Sequence, residues 1–167
     1  MKSAMIWAAL LISLTVSAFP HGVFAQQTFD DWAISCAEPG GCRLAQTIMS
    51  SERVWIATVL MHPRAPDQPL RQAEVFVPPG LHFPSGLYAS LIGGELTPLR
   101  AEWRQCSARA CAGVITLDPA QESAWQRGRA VELRFRPGPG APVAVAELSL
   151  MGVTAGLRAL DALGAQE

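Results

Sequence analysis

Two close pairs of cysteines constrain this chain more than any other feature. Cys36 and Cys42 flank Ala-Glu-Pro-Gly-Gly, and Cys106 and Cys111 flank Ser-Ala-Arg-Ala. Zinc sites join close cysteines, spaced C-x₂₋₄-C, to histidine partners. Here the intervals are five and four residues, with only His62 and His82 downstream of the leader described next. A thioredoxin-like redox site needs C-x-x-C, which does not occur. The four cysteines therefore read as two disulfides, for which three connectivities exist.

That reading requires an oxidising compartment, and the N-terminus supplies a route to one. Lys2 is a positive n-region, Ala4 to Phe19 is an almost unbroken apolar run, and Val23-Phe24-Ala25 is a small-residue cleavage site. Residues 1–25 are thus expected to be a secretory signal peptide cut before Gln26. No cysteine stands at the cleavage site to accept a lipid. Residues 26–167 have the size of one domain, and no later segment is apolar enough to span a bilayer. Thirteen Lys and Arg against fourteen Asp and Glu give a formal net charge of −1, which becomes −2 once Lys2 leaves with the leader. Such a balance argues against nucleic acid as a partner.

The body of the chain is a series of short alternating runs. Phe29 to Cys36 alternates with Trp32, Ile34 and Cys36 on one side, the period of a half-buried strand. Pro39-Gly40-Gly41 is turn chemistry, and Arg43 to Ile48 resumes as a strand. Arg53 to Met61 is the most continuous β-rich run and predicts a central strand buried on both faces. Glu74–Val77, an extended piece over Leu81–Gly86, and Leu87–Ile92 follow, with Gly93-Gly94 as a tight hairpin turn. Leu99, Ala101 and Trp103 alternate with Arg100, Glu102 and Arg104 along one strand from Leu96 to Gln105. Further strands are predicted at Ala112–Leu117, Val131–Arg136 and Val143–Leu150. Asp118-Pro119-Ala120-Gln121 has the form of a helix N-terminus with a capping box, and Gly128 of a stop. Thr154 is expected to cap a second short helix with Leu157, Leu160 and Leu163 near one face. The fold class predicted is all-β: a β-sandwich of about nine short strands with two short helices late in the chain.

Within that frame each cysteine pair flanks a loop between neighbouring strands. This favours the local bridges Cys36–Cys42 and Cys106–Cys111. Crossed bridges would restrict the unfolded chain more, by about 4 against roughly 2 kcal/mol each in the chain-entropy model. They would also require two hairpin ends to meet at two points, of which the sequence gives no sign.

Candidate chemistry is sparse. His62 lies in a proline-punctuated loop with no nucleophile motif beside it. His82 alternates with Leu81 and Phe83. Ser85 sits in Pro-Ser-Gly, not in the G-x-S-x-G elbow that exposes a nucleophile. Asp30 and Asp31 are adjacent, so in a strand they point to opposite faces. Arg100, Arg104 and Arg109 suggest an anion patch, but Glu102 interleaves with them, which favours a solvated face of cross-strand charge pairs. No catalytic, cofactor-binding or metal-ligating residue is predicted.

The residues nevertheless stand in a recognisable order: Asp31-Trp32 before Cys36, then Gly41-Cys42-Arg43 and Gln46, Val77-Pro-Pro-Gly-Leu81, Cys106, Cys111-Ala112, Leu117-Asp118, and Ser149-Leu-Met-Gly-Val-Thr-Ala-Gly-Leu157. In this order and spacing the mature chain resembles the invasion-associated locus B protein family of Gram-negative bacteria. Met151 and Val153 depart from that family's usual Ser-Leu-Lys-Gly-Phe-Thr ending. The resemblance implies an exported periplasmic or envelope-associated protein of β-sandwich type. It also implies an association with host-cell invasion and no established catalytic residues.

Three functions follow for the structure to separate. A structural or interaction protein of the envelope, with an envelope or host protein as partner, has no enclosed cavity and no converging catalytic groups. A small-ligand carrier has an apolar cavity. A hydrolase brings His62 or His82 to a carboxylate, or two carboxylates together, in a cleft.

Overall fold

The computed structural model describes residues 27–37, 41–64 and 68–164. The signal segment, Pro39-Gly40 and part of the proline-rich loop after Arg64 lie outside them. Eleven strands and two helices make up the fold: β1 (Gln27–Phe29), β2 (Trp32–Ala37), β3 (Gly41–Met49), β4 (Trp55–Met61), β5 (Arg71–Val77), β6 (Leu87–Leu91), β7 (Leu99–Arg100), β8 (Glu102–Cys106), β9 (Cys111–Leu117), α1 (Pro119–Arg127), β10 (Ala130–Phe135), β11 (Ala144–Ser149) and α2 (Val153–Gly164). Seven strands form one antiparallel sheet in the order β1-β2-β3-β4-β5-β9-β8, and four form a second in the order β11-β10-β6-β7. The two-sheet all-β architecture with two late helices is the one the alternation predicts.

Period-two alternation decides what lies between the sheets. Trp32 and Ile34, Leu44, Ala57, Val59 and Met61, then Ala73, Val75 and Val77 face inward from the large sheet. Leu87 and Ala89, Val131, Leu133 and Phe135, then Ala146 and Leu148 meet them from the small one. All belong to one continuous apolar cluster. Helix α2 lies across β1, β2 and β3 and touches α1. Gly156 permits that approach, because a Cβ there would stand 2.5 Å from Leu44 Cδ1.

Several expectations change. Phe29–Cys36 is not one strand: Asp30 and Asp31 form the two-residue turn between β1 and β2, with Phe29 opposite Trp32. Asp30 takes a left-handed φ of 49°, which a short polar side chain tolerates. The strand predicted from Arg53 starts at Trp55, because Arg53 closes a turn at φ 61°. It is the central strand of the large sheet, but it is not buried on both faces: Ala57, Val59 and Met61 are buried and the residues between them only partly. Leu81–Gly86 is not extended either. Phe83–Ser85 is a 3-10 turn, which Pro84 suits through its fixed φ, and Gly86 closes it by donating to Phe83 O at 2.9 Å.

The Leu96–Gln105 run changes sheets. Leu99 and Arg100 pair with β6, Glu102 to Cys106 pair with β9, and buried Ala101 is the crossing point. The connection from β6 to β7 runs from Ile92 to Pro98 and so is longer than a tight hairpin.

The capping box of α1 forms as the sequence predicts: Gln121 N donates to Asp118 Oδ1 at 2.8 Å, and Asp118 N to Gln121 Oε1 at 3.0 Å. Gly128 ends the helix without the left-handed conformation a glycine stop usually has (φ −73°). It is small for packing, since a Cβ would stand 2.6 Å from Leu91 Cδ1. Thr154 lies inside the first turn of α2 rather than capping it, and its hydroxyl donates to Gln126 O at 2.8 Å.

Candidate functional site

The cysteines close two hairpins. Cys36 and Cys42 are directly opposed on β2 and β3, and Cys106 and Cys111 on β8 and β9. Their sulfurs stand 2.04 and 2.00 Å apart. Each bridge joins residues the ladder already aligns, so it restricts only a short loop of the unfolded chain. Reduction of either pair is expected to cost about 2 kcal/mol, read as a shift in the urea midpoint, with the far-UV spectrum retained.

Four of the residues that carry the family resemblance, Asp31, Trp32, Gln46 and Ser149, meet where β3 passes the end of β11. Gln46 is buried at 7% exposure and mimics a strand. Its Oε1 accepts from Ser149 N at 2.9 Å, and its Nε2 donates to Ser149 O at 3.3 Å and to Asp31 O at 3.1 Å. The indole of Trp32 donates to the same Ser149 carbonyl at 2.9 Å. These bonds fasten the large sheet to the small one through side chains, in the absence of a backbone ladder between β3 and β11. The motif is therefore a clasp and not a reactive centre. Gln46→Ala would strip the Ser149 amide of its Gln46 acceptor and leave the Ser149 carbonyl with the Trp32 indole alone. It is expected to cost about 1–3 kcal/mol and to speed hydrogen exchange at the Ser149 amide most.

The strongest charge cluster was not predicted. Arg71 is 2% exposed and Glu122 4%. Arg71 holds Asp161 of α2 through two bonds of 2.8 and 2.7 Å, the His62 carbonyl at 2.7 Å, and Glu122 of α1 at 3.3 Å. Arg64 reaches Glu122 from outside at 2.6 Å, and Gln126 donates to it at 3.2 Å. Burial disfavours the charge of Arg71, but hydrogen bonds and charge from Asp161, then Glu122, outweigh it and raise its pKa. Burial likewise opposes ionisation of Asp161, and Arg71 overcomes it, holding the carboxyl below the usual range. A depressed folded value means stability that is present above the unfolded pKa of roughly 3.9 and lost as pH falls through the folded value. Urea midpoints measured downward from pH 6 should fall below about pH 4, and less steeply in Asp161→Asn. The cluster fixes both helices to β5, and every charge in it has a protein partner.

The remaining candidates are dispersed. His62 Nε2 stands 3.5 Å from Glu74 Oε2. His82 Nδ1 is 2.8 Å from Ser85 Oγ, a local bond across the 3-10 turn. Among the described residues no hydrogen bond joins His82 Nε2 to a carboxylate that could orient it as a base, as a catalytic triad requires. Arg100 lies in the small sheet, Arg104 on the edge strand β8 and Arg109 in the turn between the second cysteine pair, so the three do not form one patch. Glu102 pairs with Arg104 along its own strand at 3.7 Å rather than across strands. Among the described residues no three His, Cys, Asp or Glu side chains are grouped to hold a metal, and no helix is long and apolar enough to cross a membrane.

Two open concavities flank the small sheet. One, of about 580 Å³, lies where α1 ends, between Leu91, Gly128 and Glu147. The other, of about 420 Å³, lies on the outer face among Ser85, Tyr88, Arg134, Arg136, Val143 and Val145.

Comparison with known proteins accords with this architecture. Residues 32–161 match the family model described as "Invasion associated locus B (IalB) protein". The fold is similar to the crystal structure of invasion associated protein b from Bartonella henselae, with a TM-score of 0.73 and 20% identity, covering 84% of this chain and 98% of that one. No curated protein sequence matches significantly. The family match spans both sheets and the clasp, and on it the chain belongs to the invasion associated locus B family.

Proposed function

We propose that this protein is exported to the periplasm or beyond and acts there by binding an envelope or host protein, without catalytic turnover. The observation that carries the reading is the bonding distance within both cysteine pairs, with no free cysteine among the described residues. Such bridges persist in oxidising compartments, and the N-terminal sequence has the form of a secretory signal. Binding is favoured over catalysis because the His62–Glu74 pair has no nucleophile motif beside it in the sequence and the buried charges hold the helices in place. Neither the family description nor that of the solved relative names a reaction.

In-cell crosslinking followed by capture from the envelope fraction tests this. The His62→Ala/His82→Ala variant, folded by circular dichroism, is expected to give the wild-type crosslinked species and the wild-type phenotype. A folded variant that kept the crosslinks but lost the phenotype would instead favour the hydrolase reading.

A further inference from the structure

The outer face of the small sheet is sorted by charge, and the sorting follows from strand register. Arg100 opposes Tyr88, Tyr88 opposes Arg134, and Arg134 opposes Val145. Directly opposed residues share a face, so one row across all four strands reads arginine, tyrosine, arginine, valine. The next row reads Ser90, Glu132, Glu147. The face is thus basic and apolar at one end and acidic at the other. The larger concavity lies where α1 ends and is lined by charges of both signs, Glu147 with Arg127 and Arg129, and a helix C-terminus repels anions. The 420 Å³ concavity takes the basic end, and no carboxylate lines it.

Its polar groups are held in place from behind. Arg134 Nε donates to Glu132, and Arg136 Nη1 to the Ala141 carbonyl. Among the described residues the other guanidinium nitrogens of both have no protein acceptor. Ser85 Oγ is fixed by His82. The walls are Tyr88, Val143 and Val145, exposed at 36%, 48% and 52%. The volume falls within the range of small-molecule sites, and two anchored guanidinium groups beside apolar walls suit an acid head on an apolar body.

We propose that this concavity binds a small organic anion: a carboxylate, sulfonate or phosphate head at Arg134 and Arg136, and a ring or short chain against Tyr88, Val143 and Val145. The site does not depend on where the protein resides or on whether a protein partner is also bound.

The test is titration of the folded protein with 8-anilinonaphthalene-1-sulfonate. The uncharged N-phenyl-1-naphthylamine, which has the same rings without the sulfonate, is titrated beside it. The sulfonate should bind at one site with a blue shift and move the amide resonances of Tyr88 and Val145. The Arg134→Gln/Arg136→Gln variant should bind it about tenfold more weakly or worse, a loss in keeping with charge-assisted hydrogen bonds. Val145→Glu, which keeps both arginines but sets a carboxylate directly opposite Arg134 to compete with the ligand's head, should weaken it too. The neutral probe should bind wild type at least about tenfold more weakly than the sulfonate. Near-UV circular dichroism checks that each variant is folded. The proposal is overturned if folded wild type shows no saturable binding. Unchanged affinity in both variants would overturn it, as would equal binding of the two probes.

Discussion

Arg71→Ala is expected to destabilise the protein by about 3–5 kcal/mol, the range for breaking a buried ion pair by removing one partner. The substitution leaves Glu122 at 4% exposure with only the outer Arg64 and Gln126 as partners, and it takes from Asp161 its two bonds from Arg71, leaving only the Arg64 amide at 3.3 Å. Asp161 is 37% exposed at its side chain and can recover water, whereas Glu122 cannot, so the cost falls mainly on Glu122. Because the cluster binds α1, α2 and β5 at once, hydrogen exchange should rise in both helices before it rises in β4. Replacing both buried partners, as Arg71→Met/Glu122→Leu, removes the stranded charge and should cost less than Arg71→Ala alone. Urea denaturation measures both. A loss below about 1 kcal/mol for Arg71→Ala, the value of an exposed pair, would mean that the cluster does not anchor the helices.

Gly152→Ala is the second large effect. Gly152 has φ 85°, and an added Cβ would stand 1.9 Å from the Phe29 carbonyl oxygen and 2.4 Å from its carbon. Both obstacles are backbone, so relief requires β1 or the start of α2 to move, which also pulls on the clasp at Ser149. The expected loss is about 3 kcal/mol or more, or failure to fold. Gly140→Ala is the control: its φ of 75° carries the same conformational penalty, but nothing lies within 4 Å of the added Cβ. That variant should lose only about 1–2 kcal/mol. Equal thermal shifts in the two would refute the steric account.

The contrast between the two glycines shows why some of the fold was legible in the sequence and some was not. The capping box was readable because Asp118 and Gln121 are three residues apart and their bonds are local. The strands were readable because alternation needs only neighbours. Ala101 hid a change of sheet because the alternation of Leu99, Ala101 and Trp103 continues unbroken through the crossing. Gln46 stood out only through the family resemblance and not through any local pattern, since its partner Ser149 lies 103 residues away. Gly152 is the same case, its obstacle being Phe29.

Arg71 was legible in part. Its phase with Ala73, Val75 and Val77 points it inward, and Glu122 shares a helical face with buried Trp125 at a spacing of three. What the sequence could not supply was that the two inward charges meet. The outer-face row of Arg100, Tyr88, Arg134 and Val145 needed the pairing of four strands that are not consecutive in the chain.

The central claim is that this is an exported, disulfide-stapled member of its family. The most direct test is a non-reducing peptide map of the protein recovered from its own cells, fraction by fraction. The account predicts protein in the periplasmic or external fraction that begins at Gln26, with Cys36 linked to Cys42 and Cys106 linked to Cys111. Cytoplasmic protein beginning at Met1 with free thiols, or a peptide joining a member of the first cysteine pair to a member of the second, would contradict it.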